Sequence, residues 1–326
     1  MAWQVGLDEA GYGPNLGPFV MTLAALQLPD AQANADPWKV LRDVVRRPED
    51  PPDDRLLVAD SKQIHTGNHG LDRLEANTLP FVLLQRSAWR LPLNLETAWR
   101  GFCLTPWAER LDCPWADAGL RLPLCQSHDN PWLCLAAKRL DDAMRKRGVT
   151  CLTFRWLVIM PERFNRLTQA HGTKAAVTQW AATRLLRTFP RFLRSDEDRI
   201  VLHADKQGGR HYYGELLQQA WPDRFVAAVE EHPEAARYRI LKGGSEWEAV
   251  FRPRAESASF VVALASMLSK YLREVLMHEF NSFWCSQVPR LRPTAGYPKD
   301  AQRFLAEIEV TRQRLRIPQQ MLWRER

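Results

Sequence analysis

The stretch Val5-Gly6-Leu7-Asp8-Glu9-Ala10-Gly11-Tyr12-Gly13-Pro14-Asn15-Leu16-Gly17-Pro18 joins a short apolar run to a turn rich in glycine and proline. Its adjacent acids, Asp8 and Glu9, repel each other and add nothing to a core. A divalent cation held between several carboxylates converts that repulsion into binding. The glycines and prolines that follow let backbone N–H groups approach an anion closely, a geometry suited to phosphate. A metal beside a phosphate points to phosphodiester chemistry.

Outward from this stretch, residues 3–7 and 19–28 read as two strands around the turn. Further strands are expected at residues 156–160, 200–205, 225–229 and 238–241. Helical spacing of apolar residues predicts a helix over 173–188, and a long one from Ser257 or Ser259 to about Ser286. Another helix should begin near Pro298. Asp205 closes its strand and precedes a Gly-Gly turn, so it is a second acid at a strand end.

The opening string resembles the first motif of ribonuclease HII, the type 2 ribonucleases H, which reads Asp-Glu-Ala-Gly-Arg-Gly-Pro followed by a second Gly-Pro. Ala59-Asp60-Ser61-Lys62 resembles that family's early Asp-Ser-Lys element, and Ser266-Met-Leu-Ser-Lys270-Tyr-Leu-Arg-Glu274 resembles its Ser-Ile-Leu-Ala-Lys-Val-Thr-Arg-Asp segment. Ala295-Gly-Tyr297 resembles its Gly-Tyr-Gly-Thr segment.

The resemblance implies an α/β, ribonuclease H-like fold: a central mixed five-stranded sheet flanked by helices, in a single catalytic domain over residues 1–326. It implies Asp8, Glu9, Asp205 and Glu274 as catalytic metal ligands for two Mg2+ or Mn2+ ions. It assigns Gly11, Tyr12, Gly13, Ser61, Lys62, Lys270 and Tyr297 to substrate binding. The implied activity is endonucleolytic cleavage of the RNA strand of RNA/DNA hybrids, leaving 3'-hydroxyl and 5'-phosphate ends. The alternatives are another nucleic-acid substrate for the same site, or a nucleic-acid-binding protein without turnover. Tyr12 stands where the family has arginine, so the motif lacks a cation at the place that reads the ribonucleotide at an RNA-DNA junction.

Two regions depart from the family pattern. Residues of about 85–150 carry Trp89, Trp99, Trp107, Trp115 and Trp132, interleaved with Arg86, Arg90, Arg100 and Arg110. Such a set can stack single-stranded bases or, the reading favoured here, make the core of an insertion. Residues of about 206–255 read as an extended hairpin region.

Bulk composition agrees with a nucleic-acid partner without requiring one: 45 Lys and Arg against 38 Asp and Glu give a net charge of +7. The longest apolar run, residues 18–29, is too short to cross a bilayer, and no secretory leader is evident. We expect a cytoplasmic monomer that uses no membrane and no obligatory protein partner. The six cysteines, at 103, 113, 125, 134, 151 and 285, form no Cys-x-x-Cys pair and read as reduced, packing thiols.

Overall fold

The computed structural model describes residues 1–85, 90–125, 130–193, 195, 198–206 and 210–325. Its main sheet contains β1 (Ala2–Ala10), β2 (Phe19–Leu28), β3 (Cys151–Ile159), β4 (Arg199–Asp205), β5 (Phe225–Glu231), β6 (Ala236–Lys242) and β7 (Ser245–Arg252). Their spatial order is β3-β2-β1-β4-β7-β6-β5. β1 is antiparallel to β2 and parallel to β4, which in turn is parallel to β7. The C-terminal ends of β1, β4 and β7 therefore lie side by side on one edge, the place where open α/β sheets collect ligands.

Alternation along the strands builds two apolar layers. Trp3, Val5 and Leu7 of β1 join Ile200, Leu202 and Ala204 of β4 beneath two helices, α4 (Pro161–His171) and α5 (Lys174–Leu186). The opposite face is covered by α2 (Gly70–Leu84), α3 (Asn130–Lys146) and the 28-residue α6 (Phe260–Gln287). β2 is buried throughout: Val20, Ala24 and Leu26 point to one layer while Phe19, Met21 and Leu23 point to the other. A third apolar cluster joins the end of α6 to α7 (Pro298–Arg314) through Phe280, Trp284 and Phe304.

Gly6 lets α6 lie directly on β1. A Cβ there would stand 2.4 Å from both the carbonyl carbon and oxygen of Val261. Backbone cannot step aside as a flexible side chain can, so Gly6→Ala should force α6 off the sheet and destabilise the fold by about 1–3 kcal/mol or more. Urea unfolding checks this, and an unchanged midpoint would contradict the packing described.

The chain thus has an α/β fold, a mixed sheet covered by helices on both faces. The expectation of five strands is corrected to seven. Sequence reading finds β5 and β6 and sets them outside the sheet as a hairpin region. It misses β7, in which Trp247, Ala249 and Phe251 alternate with Glu246 and Glu248. β7 pairs with β4 from Trp247↔Ile200 to Arg252↔Asp205, and so attaches the whole antiparallel extension to the sheet.

Trp99 and Trp107 are buried and meet edge to face at 5.8 Å, and Trp115 packs on Phe280 at 5.2 Å. These aromatics serve as core, in line with the favoured reading. Arg110, one of the arginines of a possible base platform, is instead buried in an ion pair with Glu279. Arg86, Trp89 and the Gly-Gly turn after Lys206 lie outside the described residues. Among the described residues no helix is long and apolar enough to cross a membrane.

Candidate active site

β1 brings Asp8 and Glu9 to the shared strand edge. The register Leu7↔Ala204 is the last pairing between β1 and β4, which sets Asp205 beside Asp8 one residue further on. Arg252 at the end of β7 lies opposite Asp205 on its other side. The chain then turns through the short 3-10 segment Ala255–Ser257, which carries Glu256 over the same edge. Asp205 Oδ1 accepts the Ala255 N–H at 3.3 Å, and the Lys206 N–H donates to the Arg252 carbonyl at 3.1 Å. These two bonds fasten the turn to β4.

The electrostatics identify four interacting acids. Burial, with the neighbouring Glu9 charge, pushes the Asp8 carboxyl well above its usual range, only partly offset by hydrogen bonds from Ser266 and the Glu9 backbone. Burial and the charge of Asp205 push Glu9 up to about 7, with Glu256 adding to the effect and Lys62 opposing it. Asp205 is raised by burial despite backbone hydrogen bonds from Ala255, Lys206 and Arg254. Glu256 is raised by burial and then by Asp205 and Asp60. Burial alone would lower the Lys62 ammonium, but Asp60, Glu256, Asp8 and Asp205 together hold it above its ordinary value.

A group of carboxylates that resist ionisation in one another's presence gains from a dication. All-oxygen donors suit Mg2+ or Mn2+ better than softer metals. Among the described residues, however, no three acidic, histidine or cysteine side chains stand close enough to hold an ion as they are placed. The four acids have the donor chemistry for divalent ions but not, at rest, the close spacing of a loaded site.

Glu274 is placed differently from the other three expected ligands. It lies on α6, where Lys270 Nζ donates to it at 2.5 Å and Arg273 Nη1 approaches at 3.5 Å. His65 stands at 3.7 Å, and burial keeps that imidazole below its usual pKa. Burial would raise Glu274, yet Lys270 and Arg273 outweigh it and hold the carboxyl below its ordinary value. Besides burial, Glu9 and Glu256 raise Asp8, and Asp205 and Glu256 raise Glu9, whereas Glu274 is already neutralised by its own helix. Glu256 thus shares the field of Asp205 and Asp60, while Glu274, the expected fourth ligand, is paired with Lys270 and Arg273.

Sequence reading misses Glu256 because it misses β7. Without that strand nothing places Arg254-Ala-Glu256-Ser at the sheet edge. The available signal was an acid in the short link between an alternating Trp/Ala/Phe run and a serine-capped helix.

The remaining expected residues gather in two places. Asp60 caps α1 (Ser61–Ile64) by accepting the Lys62 N–H at 3.0 Å. Ser61 is buried, with its hydroxyl accepting from Ser266 at 3.0 Å, while Lys62 reaches the acids. On the other side, Gly11 adopts φ +92°, and a Cβ there would stand 2.6 Å from the Pro18 carbonyl and 2.8 Å from Arg273 Nε. Any other residue would meet both backbone strain and a clash.

Arg273 Nη2 donates to the carbonyls of Leu16 at 3.4 Å and Ala295 at 3.0 Å, tying the glycine turn to the segment before Tyr297. The N–H groups of Asn15 and Leu16 both donate to Gly296 O, at 2.7 and 3.2 Å. Tyr297 Cε1 lies 3.8 Å from where a Cβ on Gly13 would stand. Tyr12 and Tyr297 are thus two exposed rings on the segments that these hydrogen bonds join.

By architecture this is an α/β protein whose carboxylates stand at the ends of adjacent parallel strands of a mixed sheet. No protein-family model matches the chain, and no curated protein matches it. Among solved structures it is similar to ribonuclease HII of Archaeoglobus fulgidus, in a complex with PCNA, at 13% identity over 99% of this chain and 94% of that one, with a TM-score of 0.44. It is similar to ribonuclease H2 of Pyrococcus horikoshii at 12% identity, covering 98% of this chain and 92% of that one, with a TM-score of 0.45. It is also similar to Bst-RNase HIII in complex with Mn2+, at 14% identity over 94% of this chain and 62% of that one, with a TM-score of 0.42.

Proposed function

We propose that this chain is a divalent-metal-dependent endonuclease and that its substrate is the RNA strand of RNA/DNA hybrids. The observation that carries the reading is that Asp8 and Glu9 near the end of β1 lie beside Asp205 at the end of the parallel β4, with Glu256 in the turn after β7 adding to their field. These four residues would hold two Mg2+ or Mn2+ ions. When bound, such ions lower the pKa of an attacking water and neutralise the in-line transition state of phosphodiester hydrolysis.

The chain's own side chains supply the rest. Lys62, kept charged by the acids around it, would meet a substrate phosphate, and Ser61 anchors the turn that carries it. The Gly11–Tyr12–Gly13 backbone would contact the 2'-hydroxyl that separates RNA from DNA. Tyr297, beside Gly13, would pack on a sugar past the cleavage point. Glu274 would orient Lys270 toward the strand at the side of the site.

One observation favours a second reading. Tyr12 leaves the glycine turn without the cation expected from the opening motif, so the same site could act on structured RNA or DNA. Incubating the protein with labelled hybrid, duplex RNA, duplex DNA and a duplex carrying one ribonucleotide separates the two. The expected result is Mg2+- or Mn2+-dependent cleavage of the hybrid, with 3'-hydroxyl and 5'-phosphate ends, abolished on adding chelator. Cleavage of another substrate with the hybrid left intact would favour the second reading. No cleavage of any of the four with either metal would sink both.

A further inference from the structure

The positive charge of this chain is concentrated. Residues 161–193, which comprise α4, α5 and the turn after them, carry Arg163, Arg166, Lys174, Arg184, Arg187 and Arg191 against Glu162 alone. That local excess is most of the net +7 of the whole protein. Two packed helices need no such excess, and like charges on one face oppose folding.

The same helices line a groove of about 610 Å3 whose apolar wall includes Leu104, Leu157 and Leu167. Arg163, Arg166 and Arg184 surround it. The guanidiniums of Arg163 and Arg184 lie 5.4 and 5.0 Å from the ring of the half-buried Trp180. Arg163 is paired with Glu109 across the groove. Arg166 and Arg184 are exposed, and among the described residues no acid lies within ion-pair distance of either.

The helix that lines this groove is tied to the loop after the glycine turn. Asn165, between Arg163 and Arg166 on α4, donates to the Trp323 carbonyl at 2.8 Å and accepts the Glu325 N–H at 2.9 Å. The intervening Arg324 donates its N–H to Asn15 O at 2.7 Å, and Asn15 Nδ2 donates back to the Arg324 carbonyl at 3.1 Å. The C-terminal segment therefore bolts the first turns of α4 to the loop that follows Tyr12 and Gly13.

We propose that the α4–α5 face is a second nucleic-acid contact that binds the phosphodiester backbone outside the cleavage site. Unpaired guanidiniums are complementary to phosphates, and contacts of this kind hold a strand without reading its sequence. The proposal rests on the reading of the acids as a site acting on nucleic acid. It adds a surface that the acids, the glycine turn and Tyr297 do not include.

The test is the double variant Arg166→Glu/Arg184→Glu, with a labelled RNA/DNA hybrid that extends past that site titrated by fluorescence anisotropy in the presence of chelator. Both side chains are exposed, so the variant should keep the wild-type circular dichroism and melting temperature. Kd should rise about tenfold or more, and the slope of log K against log salt should shrink by roughly 1 for each phosphate that the variant no longer neutralises. The turnover rate at saturating hybrid should stay at the wild-type value.

A control pair of equal charge change on α3, Arg139→Glu/Arg145→Glu, should leave affinity and salt slope near wild type. Unchanged Kd and slope in the groove variant, an equal weakening in the control, or no hybrid binding by the wild type would each overturn the proposal. Because binding is read without cleavage, the two readings fail separately. Wild-type cleavage with an unaffected groove variant removes only the groove, and binding through the groove without any cleavage removes only the nuclease.

Discussion

Asp8→Asn is expected to abolish metal-dependent cleavage, with a loss in kcat beyond about 100-fold, the upper end of what removing a mere outer partner of a metal ligand costs. The substitution keeps the shape of the side chain and removes its charge. Without metal the same change should stabilise the fold, because burial and Glu9 together make an ionised Asp8 unfavourable there. Glu9 gives the pH window. Its folded carboxyl titrates at about 7 against an ordinary value of 4.5, so the folded state binds more protons than the unfolded one between those values. The contribution of Glu9 to metal-free stability should therefore be highest below about pH 4.5 and should be lost as pH rises to about 7.

In Asp8→Asn the fall in metal-free stability should be smaller, since the raised Asp8 carboxyl no longer adds its own loss of stability as pH rises. Urea midpoints in chelator on either side of the Glu9 titration, for wild type and variant, measure the difference. Cleavage at near wild-type rate by Asp8→Asn would refute the metal-site assignment. Abolished cleavage with no gain in metal-free stability would mean that Asp8 is not the strained carboxylate described here.

How much of this was legible in the sequence differed by element. β1, β2, β4 and α6 were readable because each combines an unambiguous apolar period with a strong boundary: the Gly-Pro turn after β1, Asp205 after β4, and Ser259 before α6. Asp8, Glu9 and Asp205 lie near one another because they close β1 and β4, which run parallel side by side. β7 was harder, since Ser245-Glu-Trp-Glu-Ala-Val-Phe-Arg252 mixes glutamates with its apolar residues and follows a Gly-Gly turn that suggests only a local hairpin. Its pairing with β4 joins residues as distant in the chain as Ile200 and Trp247, and local pattern carries no information on it.

Glu274 departs from its expected surroundings for a related reason. A motif gives the order of residues along α6 but not their direction around it, and Lys270 one turn earlier captures the carboxylate. Tyr12 and Tyr297, by contrast, are expected on one surface by motif alone, and the hydrogen bonds of Asn15 and Leu16 to Gly296 hold their two segments together.

Glu256→Gln and Glu274→Gln should separate cleanly, and the contrast is the most direct test of which acid completes the site. Glu256 is raised by burial and then by Asp205 and Asp60, so it shares the field of the site's acids and competes with them for protons. Neutralising it should cost more than about 100-fold in cleavage and weaken the gain in melting temperature that Mg2+ or Mn2+ confers on the wild type. In metal-free buffer Glu256→Gln should be as stable as wild type or more so, because a buried repulsive charge has been removed. Glu274 lies in the opposite situation. Its carboxylate is held in the charged form by Lys270 and Arg273, and its removal leaves two cations, one of them the buried Arg273, without their acid. Removing one partner from a buried pair typically costs about 3–5 kcal/mol, and this half-buried pair should lose less than that. Glu274→Gln should therefore lower the melting temperature with or without metal, raise KM as Lys270 loses its orientation, and leave the metal-induced stabilisation intact. The opposite pattern, with metal response abolished in Glu274→Gln and kept in Glu256→Gln, would return the fourth ligand position to α6.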